Sequence, residues 1–250
     1  MTNRRNIVIT GASSGLGEGM ARQFAARGRN LALCARRADR IEELARDLRA
    51  RHPGCTVVTR ALDVNEHDRV FEVFEEFETE LGSLDRVVVN AGIGKGQPIG
   101  TGYFEANRQT VQTNLLAALA QAEAAMSAFR KQQAGHLVMV SSFSALRGLP
   151  RNMTAYAASK AGSATLAEGI RADVRGTPIK VTTLLPGYIE SEMTARSGRN
   201  PLLTDARRGA EALVKAIEQE RARAYIPTFP WAPLSLVMRY APMSLVGRFV

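Results

Sequence analysis

Cysteine is nearly missing from this sequence, with two residues in 250, and Cys34 and Cys55 show no paired spacing. Histidine is almost as scarce, at His52, His67 and His136, so neither a disulfide framework nor a zinc-ligand cluster is expected. That pattern suits a reducing cytoplasm. No run approaches the roughly 18 to 20 apolar residues of a membrane-spanning helix. Arg4 and Arg5 lead straight into the strand-like Ile7-Val8-Ile9 with no apolar segment between, so no signal peptide is expected. Linkers, repeats and low-complexity tracts are also lacking, which predicts a single domain over 1–250. Acid is the scarce charge. Against 33 Lys and Arg stand 24 Asp and Glu, a formal +9, and residues 225–250 hold no acid at all. The arginines are spread along the chain, without the aromatic–basic interleaving that grips bases. A soluble basic surface is expected, and a nucleic-acid partner is not.

What is present is an ordinary globular composition, 45% hydrophobic and 23% charged. Short β-rich runs alternate with longer helical periods. The pattern predicts strands at 6–10, 30–35, 56–62, 84–89, 136–140, 180–185 and 224–227. Helices are expected at 16–26, around Ile41, Leu44, Ala45 and Leu48, and around Val70, Phe74, Phe77 and Leu81. Others are expected at 104–129 as one long element, at 155–175 and at 205–221. Alternation of this kind, with strands as apolar as 84–89, predicts an α/β fold. The expected form is a single-domain Rossmann-like doubly wound parallel sheet with helices on both faces.

Between the first strand and its helix stands Thr10-Gly11-Ala12-Ser13-Ser14-Gly15-Leu16-Gly17. Glycines there permit a tight turn, let backbone approach a pyrophosphate, and let the helix pack on the strand. The helix start then points free N–H groups and its positive dipole end at the phosphates. Gly11, Ser13, Ser14, Gly15, Leu16 and Gly17 are therefore candidates for dinucleotide contact. At the end of the second strand a carboxylate would bind the adenosine ribose and repel a 2′-phosphate. This sequence has Arg36-Arg37 instead. A guanidinium fork suits phosphate, so Arg36 foremost, and Arg37 with it, are expected to favour NADP(H). NAD(H) is the alternative, with two solvated arginines opening a helix as the plain reading.

Tyr156 and Lys160 lie four residues apart in a helical segment, hence one turn apart on one face. A free phenol titrates near about 10, and a neighbouring ammonium favours its phenolate. The pair is a candidate proton donor and acceptor. Ser141, Ser142 and Ser144 follow the fifth strand, at the edge where open α/β sheets bind ligands. A hydroxyl there can donate to a carbonyl oxygen that gathers charge.

The spacing Gly11-x-x-x-Gly15-x-Gly17 is followed in order by Asn90-Ala91-Gly92, Ser141-Ser142, Tyr156-x-x-x-Lys160 and Pro186-Gly187. Together these motifs resemble the short-chain dehydrogenase/reductase family over about residues 6–193. The resemblance implies hydride transfer between a nicotinamide cofactor and a carbonyl or alcohol carbon, with Tyr156 as general acid or base. It selects Ser142 as the hydroxyl that steadies the substrate oxygen. The stretch from Ser142 to Tyr156 is one residue longer than in many members, which keeps Ser144 as a rival. Lys160 is implied to lower the tyrosine pKa and bind the nicotinamide ribose, and Asn114 to hold a water in a proton relay. A core asparagine satisfied by backbone is the competing reading of Asn114. Asp63 and Val64, then Asn90, Ala91 and Gly92, then Pro186, Gly187, Ile189 and Ser191 are implied to line the cofactor. Ile189 would do so through its backbone, and Ser191 stands where many members carry threonine. Without the resemblance, Asp63 is a plain loop aspartate. A homodimer or homotetramer is also implied. The rival from another class is a cofactor-binding regulator without turnover, and the complete set Asn114, Ser142, Tyr156 and Lys160 speaks against it.

Residues 188–203 are expected to form a loop over a small-molecule substrate, with the glycine-rich 94–102 as the opposite rim. Neither carries a charge pattern that names the substrate. The apolar tail 225–250 gathers Phe229, Trp231, Leu234, Leu236, Val237 and Met238 among Pro227, Pro230 and Pro233. It is too broken by proline to span a bilayer. The tail is expected to pack on its own domain or on a partner subunit. Peripheral contact with a membrane, aided by Arg239 and Arg248 and giving access to a lipophilic substrate, is the alternative.

Overall fold

The computed structural model describes residues 4–194 and 201–246. Its strands are β1 (Asn6–Thr10), β2 (Asn30–Ala35), β3 (Val57–Ala61), β4 (Arg86–Val89), β5 (Gly135–Val140), β6 (Ile179–Pro186) and β7 (Arg223–Ile226). All pair in parallel in the order β3-β2-β1-β4-β5-β6-β7. A parallel sheet needs both faces covered, and β1, β4 and β5 are buried at every residue. Alternate side chains serve opposite layers, as the two-residue period of a strand requires. Ile7, Ile9, Leu31 and Leu33 meet α1 (Gly15–Ala25), α2 (Ala38–Arg51) and α7 (Ala206–Glu218) on one face. Val8, Ala32, Val87 and Val89 meet α3 (His67–Leu81), α5 (Ala117–Lys131) and α6 (Thr154–Asp173) on the other. The fold is the doubly wound sheet that the alternation predicts. The strand order reverses between β1 and β4, so a crevice opens at their carboxyl ends, where sheets of this kind bind ligands.

The expected single helix over 104–129 is divided. α4 (Phe104–Val111) runs into a π-helical turn, Gln112–Leu116, before α5 begins. Tertiary bonds fall on this turn: Asn114 bonds the backbone of Ile93, and Thr113 donates to Asn65 Oδ1. Single π turns of this sort collect at functional sites.

The tail, expected only to fall short of spanning a bilayer, is helical. It forms α8 (Thr228–Tyr240), followed by the short α9 (Met243–Val246). Pro230 falls in the first turn, just past the non-helical Phe229, where a missing N–H costs little. The inner side of α8 packs on its own domain. Trp231 is buried, edge-on to Phe143 with ring centroids 4.7 Å apart. Met238 and Ala241 rest against Leu149 and Ala157. Phe229, Leu236, Val237 and Tyr240 are exposed. No helix among the described residues is long and apolar enough to cross a membrane. Arg248 and residues 195–200 of the expected substrate loop lie outside the described residues.

Candidate active site

The glycine turn after β1 is held open by its neighbours. A Cβ on Gly11 would fall 2.9 Å from Ala91 Cα, and one on Gly17 would fall 2.4 Å from the Gly11 carbonyl oxygen. Neither position admits a side chain. Asn90 props the turn from below, its Nδ2 donating to the Thr10 carbonyl at 2.9 Å. Thr10 Oγ1 in turn accepts from the backbone N–H of Asn90 and of Ala91. Ser14 is the N-cap of α1, yet its hydroxyl caps nothing and accepts instead from Arg37. The first-turn N–H groups of α1 are thereby left for an anionic ligand.

The two arginines after β2 differ. Arg37 reaches back to the glycine turn, donating to Ser13 Oγ at 3.2 Å and Ser14 Oγ at 2.7 Å. Arg36, ranked first from the sequence, is exposed and has no partner among the described residues. Both fit a phosphate: one sits on the turn, the other is free. Asp63 accepts from the N–H and Nδ2 of Asn65 through Oδ1, a local turn that leaves its other oxygen uncommitted. Val64 beside it is buried.

Across the crevice, α6 presents Tyr156 and Lys160 one turn apart. Lys160 is buried, and its Nζ donates to the Val140 carbonyl at 2.9 Å. Its own carbonyl accepts from Ser141 at 2.6 Å and from Ser163 at 3.0 Å, which fixes this turn of α6 against β5. A Cβ on Gly92 would lie 3.1 Å from Asn114 Oδ1 and 3.2 Å from Lys160 Nζ, so these groups converge over one glycine. Asn114 is satisfied by neighbours: Oδ1 accepts from Ile93 N at 2.8 Å, and Nδ2 donates to Ile93 O and Ser159 Oγ.

Ser142 caps the 3-10 turn Phe143–Leu146, its Oγ accepting from Ser144 N, and its hydroxyl favours the phenolate of Tyr156. Burial pushes that phenol above its ordinary value, the Ser142 bond pulls it down, and Tyr188 adds to the rise. The direction is opposite to the one expected from the spacing. The physical reason is burial of the phenol, and the same burial draws the Lys160 ammonium down to about 8 while its Nζ donates to Val140.

Pro186 ends β6, and Gly187 lies flat beneath Trp231. Ile189 is buried and forms an isolated bridge to Thr204, and its carbonyl accepts from Thr194 Oγ1 at 3.0 Å. Ser191 shares hydrogen bonds with Thr194 and packs against Gly15, whose added Cβ would meet Ser191 Cβ at 3.2 Å. Sequence reasoning missed Thr10, Thr194 and Glu192. Glu192 ion-pairs with Arg37 at 3.1 Å and with Arg40 at 2.6 Å. No local spacing signals those contacts, which bring residues about 150 positions apart together.

Fold and site together mark an α/β oxidoreductase scaffold. The family model described as short chain dehydrogenase matches residues 5–201. An uncharacterised oxidoreductase of Mycobacterium tuberculosis is 53% identical over 98% of this chain and 97% of its own length. Another, from Myxococcus xanthus, is 36% identical over 91% of this chain and 88% of its own length. Among solved structures, an alcohol dehydrogenase of the archaeon Thermococcus sibiricus, complexed with 5-hydroxy-NADP, superposes with a TM-score of 0.80. It is 26% identical, the match covering 90% of this chain and 97% of that one. The chain belongs to the short-chain dehydrogenase family and is an oxidoreductase.

Proposed function

We infer that this chain is an NADP(H)-dependent reductase or dehydrogenase of a carbonyl/alcohol pair, with Tyr156 as general acid and base. The observation that carries the reading is convergence: Asn114 Oδ1 and Lys160 Nζ, one turn of α6 from Tyr156, meet over Gly92, and the adjoining Ala91 abuts Gly11 of the turn that excludes side chains. The glycine turn and the α1 N-terminus would hold the pyrophosphate, Arg36 and Arg37 a 2′-phosphate, and Asp63 and Val64 the adenine. Asn90, Ala91, Gly92, Pro186, Gly187, Ile189 and Ser191 would line the remainder. When bound, a nicotinamide dinucleotide supplies or takes the hydride exchanged at the substrate carbon.

Within that frame the residues divide the work. Tyr156 Oη delivers a proton to the carbonyl oxygen in reduction and removes it in oxidation. Ser142 donates a hydrogen bond to the same oxygen as charge builds there. Lys160 supplies the cation beside the phenol and a bond to ribose. Asn114 holds the π turn against Ile93 through both ends of its carboxamide, so a proton relay past it would have to use groups other than that side chain. Phe143, Tyr188 and Trp231 form an uncharged aromatic wall next to this cluster, which supports an apolar substrate. Exposed Leu116 and Leu119 along the α4–α5 segment support assembly as a dimer or tetramer. One observation favours NAD(H) as a second reading: the Glu192 carboxylate stands among the arginines.

The test is a panel of ketones, aldehydes and alcohols assayed with NADPH and NADH in parallel. Turnover with NADPH, shifted toward NADH by Arg36→Asp, is the expected result. An Arg36→Asp protein with an unchanged cofactor ratio would contradict the cofactor assignment.

A further inference from the structure

Glu192 lies on the segment that leaves β6 and crosses to the far side of the crevice. Its carboxylate meets Arg37 Nη1 at 3.1 Å and Arg40 Nη1 at 2.6 Å. Arg37 simultaneously holds Ser13 and Ser14 of the glycine turn. Ser191, the preceding residue, lies against Gly15 of the same turn. The end of β2, the phosphate-binding turn and the segment after β6 are thus tied together at one point. The bonds to Arg40 and then Arg37 also hold the Glu192 carboxyl below its ordinary range, so it is ionised at neutral pH.

We propose that Glu192 sets cofactor choice in this chain by occupying Arg37, one of the two guanidiniums that a 2′-phosphate would take, so that NADP(H) must displace it to engage Arg37 as well as the free Arg36. The inference rests on the proposed dinucleotide site. Physically, an anion already paired with Arg37 both competes for its N–H donors and repels a second anion beside it. A dinucleotide without the 2′-phosphate makes no such demand and leaves the Glu192–Arg37–Arg40 contacts in place. The chain therefore carries a selectivity carboxylate, placed on the segment after β6 instead of at the end of β2.

The experiment is fluorescence titration of NADPH and of NADH into the purified wild-type chain, Glu192→Gln, Arg37→Met and the double variant. Glu192 is exposed, so its amide should fold as the wild type does. Glu192→Gln is expected to tighten NADPH by about 3- to 10-fold and to leave NADH within about twofold, the gain fading at high salt as screening sets in. In the Arg37→Met background the same change should be nearly silent toward NADPH. An unchanged NADPH affinity, or an equal shift for both nucleotides, overturns the inference while leaving the cofactor site standing. If the wild type binds neither nucleotide, the dinucleotide reading falls and this inference falls with it.

Discussion

Ser144 donates twice to a single atom, Ser142 Oγ, from its backbone N–H at 3.2 Å and from its hydroxyl at 2.9 Å. With its lone pairs engaged, Ser142 has only its own proton left to offer, and that proton points its role toward donation. The two serines are thus not rivals. In the proposed site Ser142 would donate to the substrate oxygen, with Ser144 orienting it. Replacing Ser142 by Ala should lower kcat by about 10²- to 10³-fold, as loss of an oxyanion donor does. Ser144→Ala should cost kcat only about 3- to 10-fold with KM little changed, since one orienting bond of modest worth is lost. Steady-state kinetics of both variants decide; a larger loss at Ser144 than at Ser142 would reverse the assignment.

Burying Lys160, proposed as the cation beside the phenol, weakens the fold. Burial draws its ammonium from 10.5 down to about 8, which is worth about 3 kcal/mol of folding stability near neutral pH. The sign follows from the unfolded chain binding the proton more tightly. The penalty is fully present below pH 8, shrinks as pH rises from 8 toward 10.5, and vanishes above. Lys160→Met should therefore be inactive yet about 1 to 3 kcal/mol more stable at pH 7. Urea unfolding at pH 7 and pH 10 checks this; an advantage that does not shrink at the higher pH would contradict it.

At the opposite edge of the sheet, His136 is fully buried between Arg86 and Thr182. Burial first, then Arg86 and Arg4, hold it neutral well below its ordinary 6.5. The unfolded chain takes up this proton as pH falls through 6.5, and the folded one does not. Stability should thus drop by about 1 kcal/mol per pH unit below that point. His136→Asn should be less stable at pH 7 but show a flatter decline to pH 5. Thermal melts across that range would show it, and parallel declines would rule it out.

The single tryptophan reports on the docking of α8. A Cβ on Gly187 would lie 1.9 Å from Trp231 Cε2, so Gly187→Ala must push the indole outward. A destabilisation of about 1 to 3 kcal/mol, typical of overpacking, is expected. The emission should move to the red as the ring meets water. An unshifted spectrum would mean that the indole does not rest on Gly187.

Much of this was legible in the residues themselves. Strand positions such as Ile7, Val8 and Ile9, and helix faces such as Ile41, Leu44, Ala45 and Leu48, follow from burial period, and all are buried. The Tyr156–Lys160 pair is legible because its geometry is local to one helix. What the sequence hides is contact across the crevice. The π turn at Asn114 depends on Ile93, and the role of Arg37 depends on Ser13, Ser14 and Glu192, residues that only the folded sheet brings near. The helical tail was hidden for a different reason. Proline count signals breakage, whereas Pro227 and Pro230 fall at the helix start, where a missing N–H costs little, and α8 carries Pro233 inside it.

The central claim is that Tyr156 moves the proton. It is tested most directly by kcat for Tyr156→Phe with NADPH and a ketone that the wild type reduces, alongside NADPH titration. The account predicts a loss of about 10²- to 10⁴-fold in kcat, the range of a removed general acid, with nucleotide affinity nearly unchanged. Full turnover by the phenylalanine protein would contradict it.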